Sequence, residues 1–111
     1  MCDNELLMEP CQEIPEDAAP MTGHDLEHML SHVDEWEVVE GRLTKGFQLE
    51  DHFQVMALVN AVAWISHRQD HHPEIVVGYD TVVISYQTDS IGGLSRNDFI
   101  CAANVDALVS E

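Results

Sequence analysis

Basic residues are what this chain most lacks. Among 111 residues only Arg42, Lys45, Arg68 and Arg96 are basic, against 21 acidic ones, for a formal net charge of −17. Such a surface repels nucleic-acid phosphate and anionic lipid, so direct binding to either is excluded as a working reading. No apolar run approaches the roughly 18 residues of a transmembrane helix, so no membrane span is expected. The N-terminus has no basic stretch followed by an apolar one, which argues against a secretory signal. Cysteine is scarce too. Cys2, Cys11 and Cys101 form neither a CxxC pair nor an even framework, and a reduced, cytoplasmic protein is the simplest expectation.

The apolar content suits one globular core, and the length suits one domain. Residues 1–20 carry Asp3, Glu5, Glu9, Glu13, Glu16 and Asp17 with three prolines and no Lys or Arg. That composition predicts a mobile acidic tail, with the domain proper over 21–111. Leu6, Leu7 and Met8 are too short a pattern to build on.

Thr22 and Asp25 have capping-box spacing and precede Leu26, Met29, Leu30 and Val33, which predicts a first helix of about three turns. Two strand-like segments flank Glu40-Gly41 and predict a hairpin. A second helix is expected from Asp51 through Ile65. Its apolar residues cover most of the circumference, which suits a central position or a subunit interface. Pro73 cannot continue it and biases His72 toward extended backbone. Strands over Ile75–Tyr79 and Thr81–Thr88, a loop through Gly92-Gly93 and a helix opened by Ser95 and Asp98 complete the chain. The fold class is α+β, in the order α-β-β-α-β-β-α, with a four-stranded antiparallel sheet and three helices packed on one face.

Seven histidines are the main chemical signal. His24, His28 and His32 lie four apart and read as a solvated helix face. They lack the glutamate arrangement of HExxH sites, and no metal site is expected. His52 reads as surface decoration at a helix start. His71-His72-Pro73 differs, because two imidazoles sit at a chain junction beside Asp70 and Glu74. Histidine titrates near neutrality and can both give and take a proton. On these grounds alone a structural and a catalytic role weigh about equally.

The stretch Asp70-His71-His72-Pro73-Glu74, then Tyr79, then Gly92-Gly93-Leu94-Ser95 with Asp98, resembles the pterin-4a-carbinolamine dehydratases. Trp36 with Glu40-Gly41, and Phe47 before Asp51-His52-Phe53, fit the same pattern, so the resemblance runs over roughly residues 22 to 109. It implies dehydration of a 4a-hydroxytetrahydropterin to a quinonoid dihydropterin, in tetrahydrobiopterin recycling, without a metal or organic cofactor. It implies a catalytic set of His71, His72 and Asp89, with His71 as acid/base and His72 orienting the pterin, and with Asp70, Pro73 and Glu74 as substrate contacts. It also implies a homodimer or homotetramer. Asp89 is a departure, since the family usually carries histidine there, sometimes tryptophan. An ordinary carboxyl, with a pKa near 3.9, is a poor acid at neutral pH. The alternative is therefore a catalytically weakened or silent member acting as a pterin-binding or protein-interaction module.

Overall fold

The structure is a computed structural model that describes residues 5–109. Alternation sets the sheet. Strands β1 (Glu37–Val39), β2 (Arg42–Gln48), β3 (Glu74–Val77) and β4 (Thr81–Tyr86) form one antiparallel sheet in the order β1-β2-β4-β3. Leu43, Phe47, Val82, Ile84 and Tyr86 point to one face and are buried, as period-two patterning requires. The opposite face carries Thr44, Gly46, Val76 and Val83, and Val76 is 58 % exposed. All three helices, α1 (Gly23–Leu30), α2 (His52–Gln69) and α3 (Arg96–Val109), lie on the buried face. α2 and α3 pack on the sheet, and α1 packs on α3. The α+β reading and its element order hold.

Helix starts follow their caps unevenly. The Asp51 carboxylate accepts the Gln54 N–H at 2.9 Å, and the Gln54 side chain accepts the Glu50 N–H at 3.0 Å. Ser95 and Asp98 close the α3 start, where Ser95 N–H donates to Asp98 Oδ2 at 2.9 Å and Asn97 N–H to Ser95 Oγ at 3.2 Å. Thr22 precedes α1 but makes no side-chain capping bond. α1 is also shorter than its three predicted turns. It ends at Leu30, because the chain tightens into three-residue turns at His32 and Val33 and then turns left-handed at Glu35.

α2 buries one stripe, Val55, Leu58, Val62, Ile65 and Ser66. Phe53 is 82 % and Trp64 60 % exposed, and Met56 is exposed between them in sequence. Of the two placements the sequence left open, a central position and a subunit interface, the protomer itself covers one side only, and the rest of the helix's apolar surface faces outward.

The acidic segment 1–20 also departs from its reading. Residues 1–4 lie outside the described residues, but from Leu6 onward the segment lies against the domain. Leu6 is buried in the core, and Glu9 pairs with Arg96 through two bonds of 2.6 and 2.8 Å. Gln12 and Asn97 exchange hydrogen bonds, and Met21 N–H reaches Leu94 O at 2.8 Å. Composition missed this because the docking relies on a single buried leucine, one ion pair and hydrogen bonds to backbone groups, which average hydrophobicity does not register.

Candidate active site

The site is built where α2 ends. Asp70 adopts the left-handed conformation, φ 52°, and its N–H returns to Ser66 O, closing the helix. Aspartate tolerates this region better than most residues. The following His71 N–H also reaches Ser66 O, at 3.2 Å. This reversal turns the His71 side chain inward, to 13 % exposure, while Pro73 hands the chain to β3.

There His71 Nε2 meets Asp98 Oδ1 at 2.6 Å. Its ring stacks on Tyr86, with centroids 5.9 Å apart and planes 9° from parallel. The Asp98 side chain is fully buried. Its second oxygen accepts the Thr88 hydroxyl at 2.8 Å and the Ser95 N–H at 2.9 Å, and Thr88 and Ser95 hydroxyls meet at 2.7 Å. A buried carboxylate satisfied in this way is a fixed negative charge, which orients the imidazole and favours its cation. Burial pulls the His71 pKa down, but the hydrogen bond and charge of Asp98, with smaller contributions from Cys11 and Asp89, outweigh it and hold it above the usual histidine value. With Nε2 engaged, proton exchange with a bound molecule falls to Nδ1. Burial pushes the neighbouring Tyr86 phenol far up, so it is a ring wall and not an acid.

Asp70, His71, His72 and Asp89 all line one open cleft of about 710 Å³. Its far wall is the N-terminal segment, through Cys11, Gln12, Glu13, Ile14 and Glu16. Pro73 and Glu74 lie instead in an adjoining hollow of about 270 Å³, which shares His72 and Asp89 with the cleft. Glu74 faces Arg42 there at 3.7 Å. The strand before Asp89 ends at Tyr86, two residues earlier than predicted, because Thr88 bridges to Gly93 and Asp89–Ile91 coils into a short 3-10 turn. Both glycines of that loop have a reason. Gly92 is left-handed, φ 64°, and a Cβ on Gly93 would stand 2.6 Å from Pro20.

The other histidines stay outside. His24, His28 and His32 are exposed, with His28 and His32 Nε2 atoms 3.3 Å apart. His52 stacks on Tyr79 at the β3–β4 turn, away from the cleft lining. Among the described residues no group of three or more His, Cys, Asp or Glu side chains could hold a metal ion. No helix among them is long and apolar enough to cross a membrane. Sequence reasoning took Asp98 as a helix cap and part of a motif, and missed that its second oxygen frees the first for His71. It missed the N-terminal wall entirely.

Residues 19–108 match the sequence profile described as pterin 4 alpha carbinolamine dehydratase. A provisionally named pterin-4-alpha-carbinolamine dehydratase of Nitrosomonas europaea is 41 % identical over 109 residues, covering 97 % of this chain and 95 % of that protein. One of the same provisional name from Xanthomonas campestris is 48 % identical over 88 residues, covering 78 % and 75 %. Among solved structures, a transcriptional coactivator/pterin dehydratase from Brucella melitensis superposes with a TM-score of 0.77 at 26 % identity, covering 82 % of this chain and 99 % of that one. A pterin dehydratase-like protein described as a RuBisCO assembly factor in the alpha-carboxysome superposes with a TM-score of 0.58 at 27 % identity, covering 72 % and 93 %. By its sequence and its fold, the chain belongs to the pterin 4 alpha carbinolamine dehydratase family.

Proposed function

We propose that this protein dehydrates a 4a-hydroxytetrahydropterin to the quinonoid dihydropterin in the cleft bordered by His71, His72 and Asp89. The observation that carries the reading is the buried Asp98 holding His71 at 2.6 Å beside an open cleft. The reaction removes the C4a hydroxyl as water and a proton from N5. A protonated His71, favoured by Asp98, suits the first task by giving its Nδ1 proton to the departing hydroxyl. The second needs a base, and His72 and Asp89 both border the cleft. One proton is given and one taken, so the protein ends the cycle with the same number. The pterin is planar and rich in donors and acceptors, which suits a polar cleft with few groups to satisfy.

An interaction role has its own support in two features. Asp89 stands where the family usually has histidine, and the outer face of α2 exposes Phe53, Met56 and Trp64. That face is also the reason to propose a homo-oligomer, because large apolar side chains left to solvent along one helix suit burial against a second copy. Light scattering at micromolar concentrations is expected to give a dimer or tetramer, and a monomer throughout would refute it.

The deciding experiment measures dehydration of freshly generated carbinolamine by the wild type and by Asp89→His, with pterin binding measured in parallel. Wild type is expected above the uncatalysed rate and Asp89→His higher still. If neither exceeds background and neither binds a pterin, the interaction role replaces the enzymatic one.

A further inference from the structure

Cys11 and Cys101 are 90 positions apart in sequence, yet their sulfurs stand 3.8 Å apart in hydrogen-bonding contact. Cys101 is fully buried on α3. Cys11 is half-buried on the segment that walls the cleft. The backbone on either side of that contact is already fixed. Cys11 N–H donates to Gln69 Oε1 at 2.8 Å, Gln12 N–H donates to Asn97 Oδ1 at 2.9 Å, and Asn97 Nδ2 donates back to Gln12 O at 2.6 Å. A disulfide bond is about 2.05 Å long, so the sulfurs need approach by only about 1.8 Å.

We propose that Cys11 and Cys101 are a redox modification site, which a mild peroxide oxidant closes into a reversible disulfide bolting the N-terminal wall of the cleft to α3.

The two cysteines differ in reactivity, and the difference sets their order of reaction. The hydrogen bond with Cys101, against burial and aided by the charge of His71, holds the Cys11 thiol below its usual value, which favours the nucleophilic thiolate. The same hydrogen bond and burial push the Cys101 thiol up, so Cys11 is the one that meets the peroxide and Cys101 is the neighbour that its sulfenic acid faces. Cys11 sulfur attacks one oxygen of hydrogen peroxide. The O–O bond breaks, hydroxide leaves, and Cys11 becomes a sulfenic acid. Cys101 sulfur then attacks Cys11 sulfur. The S–S bond forms, the S–O bond breaks, and water leaves with the Cys101 proton. Two thiols and one peroxide give one disulfide and two waters, with two electrons passing from sulfur to oxygen. The product ties Cys11, in the N-terminal wall of the cleft, to the core, and ligand exchange through the cleft slows.

The test uses the full chain with Cys2→Ser, which leaves only the two cysteines in question, treated with stoichiometric hydrogen peroxide. Intact mass is expected to fall by two hydrogen atoms, and peptide mapping to recover a Cys11–Cys101 cross-link. Closing so long a loop should raise the melting temperature by roughly 10 °C or more, reversed by dithiothreitol. Adding Cys11→Ser should abolish both changes. Two free thiols after treatment, a sulfinic acid at Cys11 in place of the cross-link, or a cross-link with no gain in melting temperature would each overturn the proposal. None of these readings involves a pterin, so the outcome stands apart from the dehydratase assignment.

Discussion

Replacing Asp98 with asparagine keeps the shape and removes the charge that the site is built around. The wild-type carboxylate accepts three hydrogen bonds, from His71, Thr88 and Ser95. An amide has one oxygen, which must stay with the Ser95 N–H, because that donor is buried and has no other use. The amide NH2 then faces His71 Nε2, which can accept from it only as neutral imidazole. The charge-assisted bond, about 1.5–3 kcal/mol, gives way to a neutral one of about 1 kcal/mol. Both partners are largely buried, so solvent screens the pair little. A loss of about 1 kcal/mol at pH 6 follows, or roughly 5 °C in melting temperature for a chain of this size. The loss depends on pH with a definite sign. The folded-state pKa of His71 is raised, so the pair's contribution is complete below the unfolded value of about 6.5 and disappears as pH rises through the folded value. Urea denaturation of wild type and Asp98→Asn at pH 6 and pH 9 measures this, and NMR titration of His71 measures the pKa directly. The stability gap should narrow at pH 9, and the variant's His71 should titrate lower than the wild type's. An equal or wider gap at pH 9, or an unmoved His71 titration, would refute the reasoning.

Two further expectations follow from the same cleft and its wall. His71→Ala should lower the turnover number for carbinolamine dehydration by more than tenfold, and His72→Ala should act mainly on KM, in keeping with acid–base and positioning roles; steady-state kinetics separates them. Deleting residues 1–20 should destabilise the domain, since it uncovers the Leu6 pocket, worth about 2 kcal/mol, and strands the Asn97 side chain, so thermal denaturation should show a fall of roughly 10 °C or more; an unchanged melting temperature would mean that the docked segment contributes nothing.

Most of the architecture was legible because it rests on local signals that repeat. Leu43 and Phe47 alternate with polar neighbours, Gly41 takes a left-handed turn, φ 78°, and Asp51 and Ser95 mark helix starts by their side chains. Where only one such signal was present it failed: Thr22 has the right spacing, yet makes no capping bond, and α1 stops early. α2 was left open between two placements for a different reason. Apolar residues around a whole helix say that the helix wants to be covered, but not by what. The protomer supplies one side through Val55, Leu58 and Val62 and leaves Phe53 and Trp64 to solvent.

The site was legible in part, and the division is instructive. His71 and His72 stood out because two adjacent imidazoles before a proline are a chemical signal in themselves. Asp98 did not, because a Ser-x-x-Asp pair reads as a helix cap, and it is one: Oδ2 takes the Ser95 N–H. A carboxylate has a second oxygen, and burial decides what that oxygen may do. At the mouth of a solvated helix it would face water. Here it faces His71, 27 residues earlier in the chain, and the cap becomes the counter-charge of the candidate acid. The helix start therefore has two uses in one residue, and any substitution that preserves the cap alone, such as asparagine, separates them.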